Sequence, residues 1–206
     1  MGWIKDSGLT VAKKTNNHPR SMTDKVEIRR RLLDAIADAA VLDCFAGAGK
    51  MHREVWRLAA DYVACDLKWY RDDRLAYVAD NRRLLRSIDL RAFSVFDIDA
   101  YGSPWEAAMI IAARRPVLPG ERVAFAITDG STLKIKMGRL PAALAELSGM
   151  ASAPAGASRS EDEIVDRALL ALARRMRCAI VSRAEARGKT GAGVRYIGLV
   201  LQGLPA

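Results

Sequence analysis

Short apolar runs alternate with amphipathic segments along most of the chain. Five runs have the length and composition of buried strands, at 41–45, 62–66, 76–79, 93–97 and 122–128. The intervening segments with the clearest helical character are 50–60, 81–87 and 104–114. Because this alternation is typical of parallel strands joined by right-handed crossovers, the pattern predicts an α/β sheet.

Further elements flank this alternation. Apolar side chains recur at helical spacing over 21–37, and a capping box begins a predicted helix over 160–176. The Ala-, Ser-, Pro- and Gly-rich stretch 151–158 predicts a loop. Two final strands, 178–184 and 194–202, flank a glycine-rich basic loop and predict an antiparallel hairpin.

Five alternating units closed by a hairpin resemble the sheet of class I methyltransferases, in which the last strand lies reversed beside the fifth. The expected fold class is therefore α/β: a Rossmann-like, seven-stranded, mostly parallel sheet of order 3-2-1-4-5-7-6 with helices on both faces. We expect a single domain over 1–206, with a basic N-terminal segment and helix at 1–37 and the Rossmann-like core at 38–206.

Composition is consistent with this single domain. Half of the 206 residues are apolar, which is enough for one sizeable core. Cys44, Cys65 and Cys178 lie far apart without metal-ligand spacing, so we expect reduced cysteines and no metal site. No apolar run has the length of a signal peptide core or a membrane span, which predicts a cytoplasmic protein without a membrane partner.

The net charge of +9 is unevenly distributed. Residues 1–31 carry eight Lys and Arg against three Asp and Glu, and residues 174–206 carry seven against one. The segment between them is slightly acidic, with 18 against 20. Two basic flanks around a near-neutral core favour a polyanionic partner, and we expect a nucleic acid, RNA more than DNA. A merely solvated basic surface is the alternative explanation.

A glycine-rich turn follows the first strand. Gly47 and Gly49 let the backbone approach a ligand closely, but Met51 breaks the phosphate-binding P-loop pattern. His52 stands where a dinucleotide loop has its third glycine, which argues against nicotinamide and flavin cofactors. S-adenosylmethionine carries cationic groups and no phosphate, and Asp43 supplies a carboxylate beside the loop. The loop therefore predicts this methyl donor as cofactor.

Further candidate cofactor-binding residues follow the next two strands. Asp66 is positioned to accept hydrogen bonds from both ribose hydroxyls, although it could instead cap a helix. Asp80 and Asn81 could meet the adenine amino group, with helix capping by Asp80 an equal alternative. Phe45 could contact the methionyl part of the donor or could simply be a buried aromatic residue.

Two carboxylates and a tight turn follow the fourth strand. Asp97 and Asp99 could bind the N–H groups of an exocyclic base amine and accept its proton, with one of them facing the cofactor. Tyr101 or Trp105 could stack on an extruded base. A strand-end hydrogen-bond network, a helix cap and a two-aspartate metal site are the alternatives to this catalytic role.

Asp-Ile-Asp-Ala-Tyr-Gly-Ser-Pro at 97–104, followed by Ala-Phe-Ala-Ile-Thr-Asp-Gly at 124–130, resembles a motif pair of the tRNA guanine-N2 dimethyltransferases. Their pattern is Asp-x-Asp-Pro-Phe/Tyr-Gly-Ser/Thr-Pro, then a strand ending Thr-x-Thr-Asp. The resemblance implies an S-adenosylmethionine-dependent enzyme that methylates a guanine amine in RNA. By position it makes Asp99 the residue facing the amine, and it assigns the base-pocket turn to Tyr101, Ser103 and Pro104. Ala100 departs from the pattern, which has proline there.

Three other functions remain open at this stage. Ser103, Pro104 and Trp105 faintly resemble the Ser/Asp/Asn-Pro-Pro-Tyr turn of DNA amino-methyltransferases. A non-catalytic nucleic-acid-binding protein could also retain this fold, and a nicotinamide oxidoreductase is the fourth hypothesis. Two basic segments are expected near the mouth of the site, where they could hold phosphates: Arg183, Arg187 and Lys189 in the last hairpin, and Lys13, Lys14, His18 and Arg20 near the N-terminus.

Overall fold

The computed structural model describes residues 19–68, 70–153, 160–188 and 193–205. Seven strands are present in this part of the chain: β1 (Ala40–Asp43), β2 (Asp61–Asp66), β3 (Ala76–Val78), β4 (Val95–Ile98), β5 (Arg122–Asp129), β6 (Cys178–Arg187) and β7 (Arg195–Gly203). The α-helices are α1 (Pro19–Ala35), α2 (Lys50–Glu54), α3 (Asn81–Ser87), α4 (Trp105–Arg114), α5 (Thr132–Lys136), α6 (Ala142–Ser148) and α7 (Ser160–Arg175).

The strands form one sheet of order β3-β2-β1-β4-β5-β7-β6. All neighbouring pairs from β3 to β5 are parallel, whereas β7 runs antiparallel to both β5 and β6. The predicted fold class and strand order are confirmed. Since β1, β2, β4 and β5 are parallel, the loops that follow them emerge at one edge of the sheet, here called the carboxyl edge.

Side chains alternate between two cores on opposite faces of the sheet. Leu42, Phe96 and Phe125 pack in a large core with α3, α4, α6 and α7. Val41 and Val95, each one position away, pack on the other face with side chains from α1 and from the α2 segment. Because side chains along a strand point alternately to the two faces of the sheet, those of Asp43, Asp97 and Asp99 point towards α1 rather than towards α4.

Several element boundaries differ from the sequence prediction. Strand β6 extends to Arg187, and its pairing with β7 continues to the register of Arg187 with Arg195. Strand β4 begins at Val95 because a short 3-10 helix over Leu90–Ala92 precedes it. The predicted helix 50–60 is divided into α2 and a 3-10 turn over Trp56–Leu58. Most of the predicted loop 151–158 lies outside the described residues.

The three cysteines are buried and free, as the sequence analysis expected. Across the described ranges, none of the helices combines the length and apolar character that crossing a bilayer requires.

Candidate functional site

Two cavities at the carboxyl edge of the sheet share Phe45 in their lining. The larger has a volume of about 310 Å³ and is lined by residues that follow β1, β2, β3 and β4, including Phe45, Asp66, Asn81 and Ser103. The smaller has a volume of about 140 Å³ and is lined by Lys25, Asp43, Phe45, Gly47 and Asp99, among others. The half-buried Phe45 ring borders both cavities, so the candidate site has two compartments that meet at this side chain.

The glycine loop is held by backbone hydrogen bonds to the next strand. The N–H of Gly47 donates to Asp66 Oδ2 over 2.9 Å, and the N–H of Ala46 donates to the carbonyl of Cys65 over 3.0 Å. Gly49 has φ of 71°, and a Cβ on this residue would lie 2.7 Å from Cζ of Arg74. The left-handed backbone favours glycine there, and a Cβ would also displace the guanidinium of Arg74 from its place beside the loop.

Arg74 fixes the loop from outside, although the sequence analysis did not include it in the site. Its guanidinium donates to the carbonyl of Gly47 over 2.9 Å and to Asp72 over 2.6 Å. The Arg74 side chain is 5% exposed. Pairing with Asp72 raises the pKa of the guanidinium even though burial lowers it, so the loop lies against a permanent cation.

Three sequence-predicted cofactor residues line the larger cavity. Asp66 accepts from the N–H groups of Gly47 and Lys68. Asn81 Nδ2 donates to the carbonyl of Cys44 over 3.2 Å, which ties the start of α3 to the end of β1. Asp80 is the N-cap of α3 and accepts from the N–H of Arg82 over 2.8 Å. Its capping alternative is therefore observed, and the residue lines the cavity as well.

Asp43 ends β1 and is almost completely buried, with 2% exposure. Tyr62 donates its hydroxyl to Asp43 Oδ2 over 2.9 Å, and the N–H of Phe45 approaches Oδ1 at 3.3 Å. Burial, followed by the neighbouring charge of Asp97, raises the pKa of Asp43 well above its usual value. A cation bound beside Asp43 would oppose this shift and favour the ionised form.

Asp99 lines the smaller cavity and forms an ion pair with Lys25 of α1. Lys25 Nζ lies 2.6 Å from Oδ1 and 2.8 Å from Oδ2 of Asp99, and the two side chains are 8% and 22% exposed. Burial alone raises the pKa of Asp99, but the charges of Lys25 and Arg29 outweigh it and hold this pKa below its usual value. Asp99 is therefore an ionised acceptor with a small exposed surface at the tip of β4.

Asp97 is enclosed by the protein's own side chains, which corrects the prediction that it contacts substrate or cofactor. Arg29 donates from Nε to Oδ2 over 2.7 Å and from Nη2 to Oδ1 over 2.6 Å. Trp56 Nε1 also donates to Oδ2 over 2.6 Å, and the Asp97 side chain is 0% exposed. A carboxylate without exposed surface, whose two oxygens are both bonded, does not reach a ligand.

The turn after β4 separates one exposed aromatic side chain from one buried one. Tyr101 is 88% exposed beside the site, whereas Trp105 is fully buried and donates from Nε1 to Asp129 Oδ2 over 3.0 Å. The prediction that Trp105 stacks on a base is therefore corrected, and Tyr101 alone of this pair is accessible. Ser103 lines the larger cavity, and the buried Pro104 begins α4 as its N-cap residue.

Thr128 and Asp129 end β5 beside this turn. The N–H of Ser131 donates to Asp129 Oδ1 over 2.8 Å, and burial raises the pKa of Asp129. The N–H of Gly130 donates to the carbonyl of Gly102 over 2.7 Å. The loops that follow β4 and β5 are therefore joined. Within the described ranges, no group of three His, Cys, Asp or Glu side chains is arranged to hold a metal ion.

Two basic residues of the last hairpin are neutralised, contrary to the prediction that they hold phosphates. Arg183 pairs with Asp166 over 2.6 Å, and Arg187 pairs with Asp162 over 2.5 Å. Both arginines lie on β6, which extends beyond its predicted end at residue 184 and so includes Arg187. The other predicted phosphate-binding residues, Lys189, Lys13, Lys14, His18 and the Arg20 side chain, lie outside the described part of the structure.

Lys25 and Arg29 are the main residues around the candidate site that the sequence did not predict. Their signal is present in α1: positions 25, 29, 32 and 36 have the spacing of a single helical stripe, and Leu32 and Ile36 of that stripe are buried. Two cations in an otherwise apolar stripe require buried acidic partners. Asp97 and Asp99 supply them from 68 and 74 residues away.

Neither a family model nor a curated protein sequence matches the chain. Solved structures do match. NodS, an N-methyltransferase from Bradyrhizobium japonicum solved with S-adenosyl-L-homocysteine, is 11% identical, with a TM-score of 0.54 over 91% of this chain and 89% of that one. Trm1 from Pyrococcus horikoshii, solved with S-adenosyl-L-methionine, is 14% identical, with a TM-score of 0.52 over 90% of this chain and 56% of that one.

A third match is TYW2 from M. jannaschii in complex with AdoMet, which is 12% identical, with a TM-score of 0.52 over 88% of this chain and 77% of that one. At these identities the likeness is one of fold. Together with the strand order, it shows that the chain has the Rossmann-like fold of class I methyltransferases.

Proposed function

We propose that the chain is an S-adenosylmethionine-dependent methyltransferase that modifies an exocyclic amine of a nucleobase, guanine in RNA. The observation that carries this proposal is the smaller cavity. It is lined both by the glycine loop with Asp43 and by the ionised Asp99 at the tip of β4. A donor-binding loop and an acceptor-binding carboxylate that face one cavity are the arrangement that in-line methyl transfer requires.

The residues of both compartments fit this donor. In the larger cavity, Asp66, Asp80 and Asn81 offer the polar atoms that an adenosine needs, beside the apolar Phe45 and the exposed Leu67. In the smaller cavity, Asp43 offers a buried carboxyl whose pKa is raised by burial and by Asp97, and a cation bound beside it would favour its ionised form. When bound, the donor supplies an electrophilic methyl group on a sulfonium.

The chain's own part in the reaction centres on Asp99. Its oxygens can accept hydrogen bonds from the acceptor amine, orient the nitrogen lone pair and stabilise the positive charge that develops there. In this structure Lys25 Nζ donates to both oxygens. An acceptor amine must therefore share Asp99 with Lys25 or displace it. In either case an N–H donor suits this position better than a carbonyl or an ether.

Three features support a nucleobase in RNA as the acceptor. The motif at 97–104 resembles that of the tRNA guanine-N2 dimethyltransferases. Tyr101 is exposed beside the cavity, where an extruded base can stack. The net charge of +9 favours a polyanion. We also propose that the protein works in the cytoplasm, where RNA of this kind is available.

The cofactor part is tested by calorimetric titration with S-adenosylmethionine. Saturable binding is expected, and Asp66→Ala should weaken it about tenfold or more, because the loop loses a charged hydrogen-bond partner. Asp34→Ala, an exposed aspartate on α1, is the matched control and should leave affinity unchanged. Absence of binding to the wild-type protein would favour a non-catalytic nucleic-acid-binding protein, and binding of a nicotinamide dinucleotide would favour an oxidoreductase.

The acceptor part is tested with radiolabelled donor and bulk tRNA, with duplex DNA in a parallel reaction. Asp99→Asn should abolish transfer to tRNA and leave cofactor affinity nearly intact, whereas Asp34→Asn should change neither. Transfer by the Asp99 variant at the wild-type rate would refute the role given to Asp99. Labelling of DNA alone would instead identify a DNA amino-methyltransferase.

A further inference from the structure

A basic and apolar surface lies beside the site, on the segment that follows β5. It comprises α5 and the turn after it, residues 132–139, and is here called the α5 surface. Leu133 and Met137 are 62% and 61% exposed. The N–H of Gly130 donates to the carbonyl of Gly102 over 2.7 Å, and this bond brings the start of the segment near the turn that carries the exposed Tyr101.

Among the described residues, no carboxylate neutralises the charge of the α5 surface. Lys134, Lys136 and Arg139 are exposed, and none of them forms an ion pair with another described residue. Residues 130–145 contain neither Asp nor Glu. Arg183 and Arg187 differ in this respect, because both are paired with carboxylates of α7.

The α5 surface is anchored to the rest of the domain. Ile135 is fully buried, and the buried Thr132 donates its hydroxyl to Glu161 over 2.8 Å. The N–H of Arg139 donates to the carbonyl of Lys134 over 2.9 Å, which holds the turn after the helix against α5. The exposed cations therefore project from a fixed backbone, which lowers the entropic cost of binding an extended ligand.

We propose that the α5 surface binds RNA next to the methylated base. Lys134, Lys136 and Arg139 contact backbone phosphates, and Met137 with Leu133 packs against unstacked bases near Tyr101. This proposal rests on the proposed function and extends it by assigning the RNA-binding surface. Exposed apolar groups between cations suit an unpaired RNA loop better than a regular duplex, whose bases are stacked inside.

The experiment measures binding of a fluorescein-labelled RNA hairpin with an unpaired loop, by anisotropy over a range of salt concentrations. Lys134→Gln/Lys136→Gln should lower affinity about tenfold and reduce the slope of log K against log salt by about 1.5, since two phosphate contacts are lost. Met137→Gln should lower affinity without changing the slope. The matched control is Arg57→Gln/Arg174→Gln, which removes two exposed charges at the opposite edge of the sheet and should alter neither quantity.

The outcomes separate this inference from the proposed function. If the wild-type protein binds the hairpin and the lysine variant has the same affinity and salt dependence as the control variant, the role of the α5 surface in binding is refuted, whereas RNA as the substrate is not. If the wild-type protein does not bind RNA at all, both proposals fail. If the same hairpin made of DNA binds equally tightly and depends equally on the two lysines, the assignment to RNA is refuted. Cofactor affinity should be unchanged in every variant, which confirms that each one is folded.

Discussion

Replacing Arg29 with methionine tests whether Asp97 is a structural carboxylate. Methionine keeps the length of the side chain and its apolar contacts but removes the guanidinium. Asp97 then retains a single strong hydrogen bond, from Trp56, in a position with no exposed surface. Removal of one partner from a buried ion pair costs about 3–5 kcal/mol, because the remaining charge stays buried and unpaired.

This free energy corresponds to a large thermal shift. For a chain of 206 residues, 1 kcal/mol lowers the melting temperature by about 2–4 °C. Arg29→Met should therefore lower the melting temperature by roughly 6–20 °C, and urea denaturation gives the free energy of unfolding directly. Arg31→Met is the control on the same helix. Its partner Glu27 and Arg31 itself are 55% and 63% exposed, so that change should cost under about 1 kcal/mol.

The double variant Arg29→Met/Asp97→Asn decides whether the pair itself is responsible. Asparagine keeps an acceptor for Trp56 without a charge, so the double variant should be more stable than Arg29→Met alone. Because Asp97 lies outside both cavities, the double variant should also bind S-adenosylmethionine as the wild-type protein does. A cost below about 1 kcal/mol for Arg29→Met, or a double variant whose cost equals the sum of both single variants, would refute this account.

Three further predictions follow from the geometry of the site. Because the folded-state pKa of Asp43 is raised, its contribution to stability is present at low pH and is lost as pH rises through that pKa, whereas binding of the cationic donor favours the ionised form. Donor affinity should therefore rise with pH by up to about tenfold per unit, with proton release detected by calorimetry in two buffers of different ionisation enthalpy; persistence of this release in Asp43→Asn would contradict the assignment. Gly49→Ala should cost about 1–3 kcal/mol in urea denaturation and weaken donor binding, because the left-handed backbone and Arg74 both oppose a methyl group; wild-type stability would show that the loop tolerates it. Asp80→Ala should cost about 1 kcal/mol through loss of the α3 cap, and Asp80→Ser, which keeps a capping oxygen, should restore most of it.

The fold was predictable because its signals are local. Alternating strands and helices, together with the final hairpin, gave the fold class, and the order of all seven strands came from the resemblance of this succession to the class I methyltransferase sheet. The meeting place of the candidate cofactor residues was also predictable, since Gly47, Asp66 and Asn81 lie at or just after the ends of parallel strands and the ends of such strands meet at one edge. The meeting of strand ends at one edge does not, however, specify which hydrogen-bond partners these residues have.

The difference between Asp97 and Asp99 depended on contacts between distant segments. The alternation of side chains along a strand places both carboxylates on the face that α1 covers. Which of them is buried by Arg29 depends on how α1 packs against the sheet. The last hairpin was misjudged for a related reason. Asp162 and Asp166, four residues apart on α7, neutralise Arg187 and Arg183, and nothing in the local sequence of the hairpin shows that.

The pairing of α1 with β4 has a consequence for the order in which the domain assembles. During synthesis Lys25 and Arg29 leave the ribosome long before the aspartates that pair with them, 74 and 68 residues later. Burial of the guanidinium requires its counterion, so α1 cannot pack against the sheet until β4 has been synthesised. The smaller cavity therefore cannot close before β4 has been made, and a chain that ends before Asp99 cannot form it.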